Sequence, residues 1–113
     1  LDIKYDLDDY RILPEARFEL DRLVRYLNDN LMDRVELGSH TDSRGSTNYN
    51  QTLSENRALS AVDYIISKGI SRDRILAKGY GETRLLNACR DGVTCSEEDH
   101  RINRRTEAVL LCN

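Results

Sequence analysis

Two residues of this sequence have the types and the spacing to hold a small charged molecule. Asp42 lies in the polar run His40-Thr41-Asp42-Ser43-Arg44-Gly45-Ser46, and Arg57 lies on the helical segment that opens just after it. A carboxylate on a loop and a guanidinium on the adjoining helix together suit a ligand that carries both an ammonium and a carboxylate. Asn50 and Arg57 fall about two turns apart on one helix face, and helical side chains lean toward the helix start. Arg57 is therefore aimed back at the loop that holds Asp42.

Other chemistries find less support. His40-x-Asp42 offers two candidate ligands, too few for a metal hydrolase, and His40 reads better as a structural residue at a strand end. The acidic run Glu97-Glu98-Asp99-His100 reads as a solvated face. Neither Ser43 nor Ser54 sits in a recognised nucleophile motif, so no catalytic residue is assigned and an enzyme is not expected. No cofactor and no metal are implied.

The elements that must position Asp42 and Arg57 follow from periodicity. Val35 and Leu37 alternate with Arg34 and Glu36 as a strand running into the loop. The helix after it is expected over residues 47–68, with Ser46 as N-cap and Gly69 as the stop. Its apolar stripe is Leu53, Ala58, Ala61, Val62, Ile65 and Ile66. Upstream, Ile3 and Tyr5 alternate with Lys4 and Asp6 as a short strand ending in an acidic turn. Pro14 then opens a helix whose buried face is Ala16, Leu20, Leu23, Val24, Leu27 and Leu31. Downstream, residues 74–79 form a third strand and residues 106–111 the last. Residues 83–103 between them are an ordered excursion with one helical turn near 96–100. The predicted fold class is α/β: a two-layer sandwich with a four-stranded mixed sheet and helices packed on one side, in the order βαβαβ-(α)-β.

Composition bounds the class further. At 113 residues the chain, residues 1–113, is one domain. Charged residues are 33% with both signs mixed and a net charge of −3, so nucleic acid is not an expected partner. No apolar run approaches the ~20 residues of a membrane helix, so this domain is not expected to insert in a membrane. The start at Leu1 has no signal pattern, which suggests a mature domain cut from a longer chain. The absence of Trp argues against a platform for stacking on sugar rings.

There are three cysteines and no CxxC pair. Cys89 and Cys95 bracket the turn-forming run Arg90-Asp91-Gly92-Val93-Thr94. A bridge between them would contribute roughly 2 kcal/mol and would imply an oxidising compartment. Cys112, on the last apolar strand, is expected to be a free buried thiol.

Taken in order, these motifs resemble the OmpA-like domain, the peptidoglycan-binding module of OmpA, Pal and MotB-type proteins. Tyr5-Asp6-Leu7-Asp8 resembles the family's first-strand motif and His40-Thr41-Asp42-Ser43-Arg44-Gly45 its central loop. Asn50-x-x-Leu53-Ser54-x-x-Arg57-Ala58 resembles the helix signature, continued through Val62 to Gly69. Lys78-Gly79-Tyr80-Gly81-Glu82 and Asn103-Arg104-Arg105-Thr106-Glu107 are the later motifs. Two departures stand out: Ser39 replaces the usual glycine before the histidine, and Ala61 replaces a preferred valine. They bear on loop shape and packing.

The resemblance implies a periplasmic domain that holds the meso-diaminopimelate of the peptidoglycan stem peptide without a covalent bond. It would anchor an outer-membrane protein or lipoprotein of a Gram-negative cell to the wall. Asp42 would pair with the ammonium, and Arg57 would take the carboxylate through a two-pronged hydrogen bond. Asn50, Asp6, the backbone around Thr41, and Arg104 or Arg105 would complete the pocket. Taken singly, each also has a structural reading. Asp in a Gly/Ser loop ordinarily turns the chain, Arg at the rim of an apolar face ordinarily snorkels, and Arg104-Arg105 could be a solvated pair. A second implied partner is a Tol-type periplasmic protein docked on the same surface.

Overall fold

Val35 and Leu37 point to one side of their strand, and that side became the core. The computed structural model describes residues 3–4, 12–90 and 92–111. In chain order the elements are β1 (Ile3–Lys4), α1 (Ala16–Asp29), β2 (Arg34–His40), α2 (Thr47–Ser67), a 3₁₀ turn (Arg72–Arg74), β3 (Ile75–Gly79), α3 (Glu97–Asn103) and β4 (Arg105–Leu111). The sheet order is β1-β4-β2-β3. β2 is the inner strand, parallel to β3 and antiparallel to β4, so the sheet is mixed. Its body is these three strands, and β1 adds a two-residue antiparallel bridge through Ile3↔Thr106 and Lys4↔Arg105. The expected α/β architecture is present. Tyr5, Asp6 with its acidic turn, and Cys112 lie outside the described residues.

Side-chain alternation decides the layers. Val35, Leu37 and Ile75 meet α1 and α2 on one face, with Leu20, Leu23, Leu27, Ala61, Val62 and Ile65 in the same cluster. On the other face Leu76 and Val109 are half exposed. Full burial of a leucine such as Leu20 or Leu37 contributes about 2 kcal/mol.

The helix limits have local causes. α1 begins two residues after Pro14. The prolyl carbonyl accepts from Arg17 N–H, and Leu13 from Ala16 N–H, so Pro14 builds the lead-in turn. At the other end Asn30 Nδ2 donates to Tyr26 O at 2.8 Å and stops the helix. Leu31, expected on the buried stripe, is thereby past the helix end and 70% exposed. α2 begins as expected, with Ser46 Oγ accepting from Tyr49 N–H, and ends before Gly69, whose φ of +99° few other residues adopt. Among the described residues no helix is long and apolar enough to cross a membrane.

The buried face of α2 changes character along its length, and this is what positions the site. Toward the C-terminus it is Ala58, Ala61, Val62 and Ile65; toward the N-terminus it includes Asn50, Ser54 and Arg57. Gly79 lets β3 press against that polar half. A Cβ there would come 2.5 Å from Glu55 N and 2.6 Å from Ser54 Oγ. Across the contact Gly81 N–H donates to Ser54 Oγ at 2.8 Å, and Gln51 Nε2 donates to Gly79 O at 2.7 Å.

Candidate ligand-binding site

The loop after β2 is tied down on both sides. Thr41 N–H donates to Gly81 O at 2.9 Å, and Ser43 Oγ donates to Cys89 O. Cys89 is bridged to Cys95, as the spacing predicted. Cys95 leads directly into Ser96, which caps α3 by accepting from Asp99 N–H. The disulfide segment thus joins the loop of Asp42 to the first turn of α3.

Asp42 is 3% exposed and fully engaged. Its Oδ1 accepts from Arg44 N–H at 3.0 Å and Arg44 Nε at 3.3 Å; its Oδ2 accepts from Arg44 Nη2 at 2.8 Å and Arg104 Nη1 at 3.0 Å. Both guanidiniums reach Glu97 as well. Arg44 Nη1 donates to Oε2 at 2.9 Å and Arg104 Nη2 to Oε1 at 2.6 Å. Two carboxylates and two guanidiniums therefore close a ring of charge-assisted hydrogen bonds.

Burial pushes the Asp42 carboxyl upward, but the hydrogen bonds from Arg44 and Arg104 outweigh it and hold the group below the ordinary carboxylate range. Glu97 is lowered by the same two arginines. The bond to Asp42 raises Arg44. Asp42 is therefore ionised at neutral pH.

Arg57 is fully buried, and its Nη1 donates to His40 O at 3.2 Å, so it does reach back to the loop. Asn50, 1% exposed, donates through Nδ2 to Glu82 Oε1 at 3.1 Å and to Asp42 O at 3.4 Å. Thr41, Asp42, Arg44, Asn50, Leu53, Arg57 and Arg104 line one cleft. Its free volume is about 10 Å³, the space of one water molecule.

Of the expected site residues, Asp42, Arg57, Asn50, Thr41 and Arg104 come together here; Asp6 lies outside the described residues. Arg104 and Arg105 are not a solvated pair. Both are buried but part company: Arg104, the C-cap of α3, reaches Asp42, while Arg105, the first residue of β4, turns to the far face, where it meets Glu107 and Arg84 O. His40 also belongs to the far face. Its ring stacks on Tyr80 at 5.1 Å, and Nε2 lies 3.3 Å from Glu107. Burial, then Arg105, lowers its pKa to about 4.

The acidic run is exposed at Glu97, Glu98 and Asp99, as a solvated face would be, but His100 is buried and Glu97 anchors two arginines from the first turn of α3. Among the described residues the one group of three potential metal ligands is Cys89, Cys95 and Asp99, and its two sulfurs are bonded to each other.

Arg44, Glu97 and Asn103 were not foreseen as site-building residues. Arg44 stands two residues after Asp42, the spacing of a side-chain turn, which is a usable signal. Nothing in the spacing marks Glu97. Asn103 is fully buried, accepts from Leu86 N–H at 2.7 Å and donates to Asn87 Oδ1 at 2.9 Å, holding the excursion against the base of β4. The departure at Ser39 has a local partner, a buried contact of 2.5 Å between its Oγ and Thr106 Oγ1. Ala61 is fully buried in the core.

The chain is similar to known proteins in both sequence and fold. The chain is 36% identical to outer membrane protein A of Serratia marcescens over 113 residues, 98% of this chain and 30% of that protein. It is 35% identical to outer membrane porin F of Pseudomonas fluorescens over 110 residues, 97% of this chain and 32% of that protein. It thus spans about a third of the length of these relatives. The fold superposes on the peptidoglycan-associated lipoprotein of Burkholderia pseudomallei with a TM-score of 0.88 at 21% identity, covering 97% of this chain and 89% of that one. The family model described as OmpA family matches residues 4–98. This chain belongs to the OmpA family.

Proposed function

We propose that residues 1–113 form one peptidoglycan-binding domain, which holds the meso-diaminopimelate of the stem peptide without a covalent bond. From the periplasm it anchors an outer-membrane protein or lipoprotein to the cell wall. The observation that carries this reading is the meeting of Asp42 and Arg57, both buried, in one cleft. Asp42 receives the ammonium and Arg57 the carboxylate, with Asn50 and Arg104 holding the loop and the anion in place. Thr41 contributes through its side chain, because its N–H is already bonded to Gly81 and its buried Oγ1 has no hydrogen-bond partner among the described residues. Asp6 would complete the pocket.

Charge pairs in partly desolvated surroundings give a modest affinity per stem peptide, and many copies along the wall give tenacity. The test is calorimetric titration with a diaminopimelate-containing stem peptide beside the same peptide carrying lysine, which keeps the ammonium and lacks the distal carboxylate. Selective binding of the diaminopimelate form, lost in Arg57→Lys, supports the two-charge pocket. Binding of neither peptide reduces the family membership to a statement about fold and points to a Tol-type protein partner instead.

A further inference from the structure

The Asp42 carboxylate has no room for another donor. A carboxylate offers about four lone-pair sites, and Arg44 and Arg104 fill them. An ammonium that reaches Asp42 must therefore displace one of the two guanidiniums. They are held very differently. Arg104 is 4% exposed, and although it too reaches Glu97, taking it off Asp42 would break a charge-assisted hydrogen bond between two buried groups. Arg44 is 36% exposed, sits on the loop before α2 and has a second station on Glu97, itself 57% exposed. Arg44 can leave Asp42 while its Nη1 stays on Glu97.

We infer that Arg44 is the specificity-determining residue of the cleft, a guanidinium stopper seated on Asp42 that yields only to a ligand bringing both an ammonium and a carboxylate. The inference rests on the proposed function and adds the rule by which the cleft chooses among amines. A plain amine exchanges one cation for another on the same carboxylate and must still shed its own water, so it gains little. An amino-acid end group gains more. Its ammonium takes Asp42, and its carboxylate meets both Arg57 below and the Nε–Nη2 edge of the displaced Arg44, for which it has enough lone pairs. With Arg44 seated, the cleft has no volume for such a group. Displacement is therefore a condition of binding. Glu97 acts as a positioning residue that holds Arg44 in the turned-out place.

The experiment is calorimetry of the wild-type domain, Arg44→Ala, Arg44→Lys and Glu97→Gln, each with the diaminopimelate and lysine stem peptides, beside a thermal melt of each protein. Arg44→Ala leaves Asp42 paired with Arg104, so the fold persists. The expected result is that Arg44→Ala binds the lysine peptide several-fold more tightly than wild type while its affinity for the diaminopimelate peptide holds or falls, so the preference narrows. Arg44→Lys, which keeps the charge without the planar fork, restores part of it. Glu97→Gln weakens the diaminopimelate peptide. The inference is overturned if Arg44→Ala leaves the ratio of the two affinities unchanged, whether both fall together or neither moves. If no protein binds either peptide, the proposed function fails and this inference fails with it.

Discussion

Arg104 and Asp42 face each other at 3.0 Å with both side chains only 4% exposed. A pair this deep makes its own removal expensive, whatever it does for a ligand. Asp42→Ala takes a buried carboxylate away from the Arg104 guanidinium, and the remaining bond to Glu97, at 57% exposure, is a weak substitute. The expected loss is about 3 kcal/mol of stability, read from urea denaturation. Asp42→Asn keeps an acceptor and loses less. Binding comparisons therefore belong to Asp42→Asn and Arg57→Lys, and an Asp42→Ala protein as stable as wild type would contradict the burial of this pair.

Acid acts on the fold in two stages. His40 has its folded pKa lowered from 6.5 to about 4 by burial and by Arg105, against the opposing pull of Glu107. Between those values the unfolded chain binds the extra proton, so stability falls as pH drops from 6.5 toward about 4 and is level below. Asp42 and Glu97, both lowered, contribute stability above the ordinary carboxylate range that is lost as pH falls through their folded values. Thermal midpoints across this range should show both stages. His40→Phe, which keeps a ring against Tyr80, should remove the first stage and leave the second.

Gly79→Ala should destabilise by about 1–3 kcal/mol. The added methyl would meet the backbone N of Glu55 at 2.5 Å, an atom inside α2 that cannot step aside. A thermal melt reads the loss. Because Gly79 lies next to the contacts that tie the loop down, the same variant should also bind the stem peptide less well.

Reduction of the Cys89–Cys95 bridge should lower stability by roughly 2 kcal/mol. It should weaken ligand binding as well, since the bridged segment runs from the Ser43 contact to the Ser96 cap before Glu97. Melts and titrations with and without a strong reductant separate the two effects. Under denaturing conditions without reductant, one of the three cysteines should react with a thiol reagent.

Residues whose role is set by their own neighbours were legible in the sequence. The stripe of α2, its Ser46 cap, its Gly69 stop and the alternation of Val35 and Leu37 all depend on spacing of a few residues, and all stand where periodicity put them. Leu31 shows the limit of that reasoning: a helical period says nothing about an Asn30 side chain that ends the helix first. Glu97 shows a deeper one. Its partners are Arg44, far upstream, and Arg104, and only the bridge and the Ser96 cap bring it to them. Arg104 and Arg105 were indistinguishable as a dipeptide, and the step from the end of α3 into β4 separated them. Asp42 and Arg57 could be paired early because they sit on one loop-helix unit, a local arrangement in sequence as well as in space.

The placement of Asp42 directly beyond β2 has a mechanical consequence. β2 is bonded along its length to β3 on one side and β4 on the other, so it is the strand most firmly gripped in the sheet. If a ligand is held at Asp42 as proposed, the part of a pull on it that lies along β2 is carried by that strand. It loads the flanking ladders in shear, with their hydrogen bonds resisting side by side, where a pull across an edge strand would peel them open one after another. A tether built this way would give at the ligand before the sheet tears.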